Sequence, residues 1–110
     1  MATIKARNKE HLQELIRQHM VEHGLECDLN HIDVSKVRSM EKLFIHNAFN
    51  GDISRWDTSN VKNMNFMFFG AKFNGDISKW DTSNVISMEY MFENSWFQGN
   101  LSTWDVSNVK

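Results

Sequence analysis

Apolar residues fall along this chain in two regimes. From Asn8 to His23, Leu12, Leu15, Ile16, His19 and Met20 recur at helical spacing, opposite Glu10, Glu14, Arg17 and Glu22. That pattern predicts one amphipathic helix, with Asn8 placed to cap its start and Gly24 to stop it. Beyond Gly24 the pattern changes. The segment Phe49-Asn-Gly-Asp-Ile-Ser-Arg-Trp-Asp-Thr-Ser-Asn-Val61 returns almost letter for letter as Phe73-Asn-Gly-Asp-Ile-Ser-Lys-Trp-Asp-Thr-Ser-Asn-Val85. A more divergent copy runs from Phe97 to Val109, and one period before the Phe49 copy Asp28, Leu29, Ile32, Asp33, Val34, Ser35, Val37, Met40 and Phe44 keep the same places. The starts at 49, 73 and 97 give a period of 24 residues. A fixed period in this range predicts stacked repeats, each burying its apolar face against its neighbours.

In the second copy the apolar positions are Ile53, Trp56, Thr58, Val61, Met64, Met67 and Phe68. The spacing at 53, 56 and 58 matches the extended part of a leucine-rich repeat, L-x-x-L-x-L. Positions 61, 64 and 68 share a helical face. Each copy is therefore expected to hold a short strand near 54–57, a turn at Asp-Thr-Ser-Asn, and a short helix from about Asn60. The fold class expected is α/β: a short right-handed leucine-rich-repeat-like solenoid, with one short strand and one short helix per repeat. Its divisions are an N-terminal capping helix over 1–24 and four repeats at 25–48, 49–72, 73–96 and a truncated 97–110. Trp56, Trp80 and Trp104 should form one column and Phe49, Phe73 and Phe97 another. Gly51, Gly75 and Gly99 should sit where φ is positive or backbones approach closely.

The pattern D-I-S-x-W-D-T-S-N-V-x-x-M-x-x-M-F resembles the BspA-like, leucine-rich-repeat-related bacterial surface proteins, which carry tandem units of similar length. The resemblance covers residues 25–110. It implies a scaffold for protein contacts, often adhesive or displayed at the cell surface, with no catalytic activity attached to the repeat.

Composition narrows the function classes. With 12 basic and 14 acidic residues the net charge is −2, which supplies no basic field for nucleic acid. Cys27 is the only cysteine, so no internal disulfide forms. The first residues lack the apolar run of a signal peptide, and no stretch is long and apolar enough to span a membrane. The expected location is cytoplasmic as written, with the cell surface implied by the resemblance.

Most reactive residue types are explained by the repeat. Asp33, Asp57, Asp81 and Asp105 recur, and each is expected to accept N–H groups from the Ser-Asn that follows it. The competing calcium ladder, which would add Asp52 and Asp76, would need six to eight oxygens per ion, and the motif lacks the Gly-Gly-x-Gly-x-Asp density of calcium-binding β-rolls. His19 and His23, four apart on the helix, lack the H-E-x-x-H arrangement of a zinc site, and His31 and His46 look like surface variation. Cys27 has no assignable His/Asp partner, and serines repeated in every copy are not a nucleophile. No catalytic residue, metal ligand or cofactor is predicted.

Positions that differ between copies are free for recognition. Phe66 and Tyr90 stand where the first copy has Lys42. Phe69 replaces Ile45 and Glu93, and Trp96 replaces Ala48 and Lys72. Exposed aromatics among charges have the composition of an interface centre, so Phe66, Phe69, Tyr90 and Trp96 are the candidate protein-binding residues. The last copy contributes Leu101, Trp104, Val106 and Val109 without a helical half, and this C-terminal end is expected to meet a partner or a second copy, forming a homodimer. The function expected is a non-enzymatic protein–protein recognition module. The alternatives are a small intracellular, phage-borne inhibitor of a host complex and the N-terminal piece of a longer surface array.

Overall fold

A computed structural model describes residues 3–110. Its one helix, α1 (Lys9–His23), begins as the sequence dictates. The Asn8 side chain accepts the His11 N–H at 2.8 Å, and the Gly24 N–H, at φ 92°, returns to the Met20 carbonyl. Leu12, Leu15 and Ile16 turn inward and Met20 packs at the margin. Ahead of α1, strand β1 (Ile4–Lys5) pairs in parallel with β2 (Ile32–Asp33), Ile4 opposite Ile32. The described part measures 37 × 27 × 21 Å.

The α/β solenoid expected from the 24-residue period is not what this chain forms. Among the described residues there is no helix after His23 and no strand after Asp33; the remainder is turns, in one compact unit. Where a helix was expected in each copy, the chain makes successive four-residue turns. In the second copy the N–H groups of Met67, Phe69 and Ala71 return to the carbonyls of Met64, Phe66 and Phe68 at 3.0–3.2 Å. The alternate N–H groups of Met64, Phe66, Phe68 and Gly70 point away and bond to Ser87, Glu89, Met91 and Glu93. An α-helix would spend every N–H on the carbonyl four residues back. Positive φ at Lys42, His46, Phe66, Gly70, Tyr90 and Asn94 also interrupts any right-handed helix. The apolar spacing Val61, Met64, Met67 is a strict three, which suits these turns better than a 3.6 period.

The expected strands fail for a related reason. Ile53 and Trp56 close one four-residue turn, and Thr58 and Val61 close the next. Asp and Ser side chains satisfy the backbone locally and compete with a sheet ladder. Contact between extended segments shrinks to single bridges, Asp28 with Asp52 and Asn63 with both Ser39 and Ser87.

The copies nevertheless touch in 24-residue register, and this explains the recurring letters. Trp56, Trp80 and Trp104 lie nearly parallel with centroids 6.3 Å apart, and Phe49, Phe73 and Phe97 follow at 6.1 and 6.3 Å. Each indole N–H donates to a carbonyl in the preceding copy: Leu29, Ile53 and Ile77 respectively. Buried Thr58 and Thr82 donate their hydroxyls to the carbonyls of Asp81 and Asp105. The amides of Asn60, Asn84 and Asn108 donate to Ser35, Ser59 and Ser83. Gly51, Gly75 and Gly99 serve close approach rather than positive φ: a Cβ on Gly51 would collide with the Cys27 carbonyl oxygen, which accepts the Asp52 N–H.

Candidate functional site

The recurring carboxylates belong to the turns. Asp33, Asp57, Asp81 and Asp105 each accept the N–H of the serine two residues on, at 2.9–3.0 Å, and Asp52 and Asp76 do the same for Ser54 and Ser78. The side chains of Ser35, Ser83 and Ser107, and then their N–H groups, hold Asp33, Asp81 and Asp105 below the usual carboxylate range, and the Ser78 N–H followed by its hydroxyl does the same for Asp76. Asp52 lies lowest, at about 2, under the Asn30 amide and then the Ser54 N–H and hydroxyl. A carboxylate whose lone pairs already receive such donors is a poor proton acceptor. Burial pushes the Cys27 thiol up, which leaves it mostly protonated near neutrality.

The histidines are arranged differently from the sequence expectation. His31 is not isolated surface variation: its Nε2 lies 2.9 Å from Nε2 of His19. His19 Nδ1 is 2.7 Å from the Leu15 carbonyl, so Nδ1 carries the proton and Nε2 accepts from His31. The pair ties α1 to the first copy. Burial and the neighbouring His19 lower the His31 pKa. No spacing rule joins positions twelve apart on different elements.

Of the four candidate recognition residues, the structure gathers three. Phe66 lies 5.6 Å from Phe69 and 5.3 Å from Tyr90, centroid to centroid. Two residues not picked out from the sequence join them: the Lys42 ammonium stands 6.0 Å from the Phe66 ring, and His46 meets Phe69 edge-on at 5.3 Å. Lys42, Phe66 and Tyr90 share one place in successive copies, where φ is 54–60°. That conformation suits Gly or Asn, and a bulky aromatic there is an outlier. At the companion place, His46, Gly70 and Asn94, the residues are mostly of the expected kind. Tyr90 nonetheless leaves 57% of its surface exposed, so packing does not account for it. Trp96 makes no ring contact with this group. It is 61% exposed, with the Lys72 ammonium 5.1 Å from its ring centroid.

The C-terminal candidates also separate. Leu101, Trp104 and Val106 line one apolar concavity with Met88, Met91 and Phe92. Val109 is not in that lining; it packs on the core margin and closes a turn onto Val106. The three residues missed from the sequence correspond to Met64, Met67 and Phe68, which are fully buried one copy earlier. Their periodic places were legible, but their role required knowing which copy lies at the edge.

Among the described residues no helix is long and apolar enough to cross a membrane, and no three His, Cys, Asp or Glu side chains converge as metal ligands would. Comparison with curated proteins found no match, and comparison with solved structures found none either. Residues 11–110, which take in most of the helix and every copy of the repeat, match one family, and the chain belongs to it: the family described as Mycoplasma protein of unknown function, DUF285.

Proposed function

We propose that this protein is a non-enzymatic recognition module that binds a protein partner through Phe66, Phe69 and Tyr90, with Lys42 and His46 at the margin. The observation that carries this reading is the aromatic pair Phe66 and Tyr90, held on left-handed backbone and left partly or largely open to solvent. Strain of this kind costs on the order of 1 kcal/mol per residue and persists where the side chain is wanted. Aromatic anchors beside cationic side chains are the usual centre of a binding surface. The resemblance of the repeat to BspA-like surface proteins supports display at the cell surface as the setting.

The test compares the wild type with a Phe66→Ser/Tyr90→Ser variant in affinity capture from extracts of the source organism. A partner retained by the wild type and lost by the variant, at unchanged melting temperature, is the expected result. Equal capture by both proteins would remove the aromatic group from the binding surface.

A further inference from the structure

Three histidines gather where α1 meets the first copy, and one contact among them is close. Spacing along the chain pairs His19 with His23, one turn apart on α1. Their ring centroids are nevertheless 6.0 Å apart, and His23 Nε2 turns to the Glu22 carboxylate at 3.7 Å. His31, just ahead of β2, instead brings its Nε2 to 2.9 Å from Nε2 of His19. The His19 ring is held from behind, since its Nδ1 lies 2.7 Å from the Leu15 carbonyl. A backbone carbonyl on one ring nitrogen fixes the tautomer and leaves the lone pair of the other facing outward, which is how metal-ligating histidines are oriented. His31 is anchored through its own backbone: its carbonyl accepts the Ile4 N–H at 3.0 Å beside the β1–β2 pairing. Both rings are half-buried, which restricts the rotamers each can visit.

We propose that His19 and His31 bind one late first-row divalent transition ion, Ni²⁺, Cu²⁺ or Zn²⁺, between their Nε2 atoms. With the nitrogens 2.9 Å apart, an ion at about 2.0–2.1 Å from each is subtended at about 90°. That is the angle between neighbouring ligands in square-planar and octahedral sites, the geometries of Cu²⁺ and Ni²⁺. A tetrahedral zinc site needs the two nitrogens about 3.3–3.4 Å apart, which ring movement of about 0.4 Å supplies. Imidazole nitrogen suits all three ions, whereas Ca²⁺ and Mg²⁺ take oxygen ligands. In the ion-free pair the His31 Nε2 proton lies between the two nitrogens. On binding, the ion takes that place, His31 carries its single proton on Nδ1, and both imidazoles stay neutral. Water fills the remaining positions. One ligand comes from α1 and the other from the first copy, so the ion clips the helix to the repeats. The site shares no residue with the aromatic surface.

Tag-free, chelator-treated full chain is titrated with Ni²⁺ and with Zn²⁺ by calorimetry at about pH 7.5, where imidazole ligands are neutral. One ion per chain is expected, saturating below about 1 mM. Melting temperature should rise with ion concentration, because the ion binds the folded pair, and Mg²⁺ should leave it unchanged. His19→Gln and His31→Gln keep a polar side chain but remove the imidazole, and each should weaken binding by about tenfold or more. His23→Gln should leave it within about threefold. A measurement on the wild type stands apart from any loss of folding in these variants: in nitrogen-labelled protein, Zn²⁺ should shift the Nε2 resonances of His19 and His31 together and leave those of His11, His23 and His46 in place. No saturation by about 1 mM with either ion would overturn the site and leave the pair as a hydrogen bond alone. Binding unchanged in His31→Gln, loss confined to His23→Gln, or Nε2 shifts at other histidines would overturn it too.

Discussion

Replacing Trp80 by phenylalanine separates the contacts that join successive copies from ordinary core burial. The Trp80 ring is 4% exposed and lies between Trp56 and Trp104, 6.3 Å from each, while its indole N–H reaches the Ile53 carbonyl at 3.0 Å. That carbonyl also accepts the Trp56 N–H at 3.2 Å, so the substitution does not leave it without a donor. The lost hydrogen bond is then worth its modest net value, about 0.5–1.5 kcal/mol, rather than the larger penalty of an orphaned buried group. Weakening two ring contacts costs about 0.5–1.5 kcal/mol each at most, and the smaller ring leaves unfilled space. The expected loss is about 2–4 kcal/mol, a large share of the roughly 5–15 kcal/mol that holds such a domain. Trp104→Phe loses the same kind of bond, to Ile77, but has a neighbour in the tryptophan column on one side only and is 9% exposed. It should cost about 1–2 kcal/mol. Urea unfolding of both variants and of the double variant gives the costs and their coupling, expected at about 0.5–1.5 kcal/mol. Equal costs for Trp80 and Trp104, or additivity within error, would refute the idea that the indole column carries stability from copy to copy.

Three further outcomes follow from local geometry. Asp81→Ala removes the acceptor for both the N–H and the hydroxyl of Ser83 and should destabilise by about 0.5–2 kcal/mol; a urea midpoint equal to wild type would mean that water replaces the turn. Because the His31 pKa is lowered in the folded state from 6.5, the unfolded chain binds more protons just below that value. This contribution is therefore complete above about pH 6.5 and is lost as pH falls through the folded pKa. Melting temperature should drop between pH 7.5 and 5, and less so in His31→Gln; an equal drop in both would detach the effect from this histidine. The carboxylates act in a separate window, since Asp52 falls from 3.8 to about 2 and its contribution is lost only as pH drops from near 4 through about 2. Tyr90→Gly relieves left-handed strain at φ 54° but frees the unfolded chain, two effects of about 1 kcal/mol that nearly cancel. A loss above about 1 kcal/mol in chemical unfolding would make the ring structural rather than recognitional.

Much of this protein was legible in the chain because it rests on local or strictly periodic signals. The helix, its Asn8 cap and its Gly24 stop follow from spacing within one segment, and the columns of Trp and Phe follow from the 24-residue period alone. The turns closed by Asp57 and Asp81 follow from Asp-x-Ser, in which donor and acceptor are two residues apart. What the period could not fix was the path of the backbone between those columns. Val61, Met64 and Phe68 suit a helix face, while Val61, Met64 and Met67, a strict three apart, suit a run of turns. The choice fell to the turns because alternate N–H groups find carbonyls in the neighbouring copy, a partner that exists only once the copies lie together. The same limit hid the pairing of His19 with His31, which joins separate elements. It hid the edge hollow as well: Met88 and Phe92 carry the same letters as buried Met64 and Phe68, and only their place in the folded molecule leaves them half open. Sequence therefore determined which residues face inward and at what interval they meet. Tertiary structure decided how the backbone turns between them, because hydrogen bonds between distant segments are settled by neighbours in space.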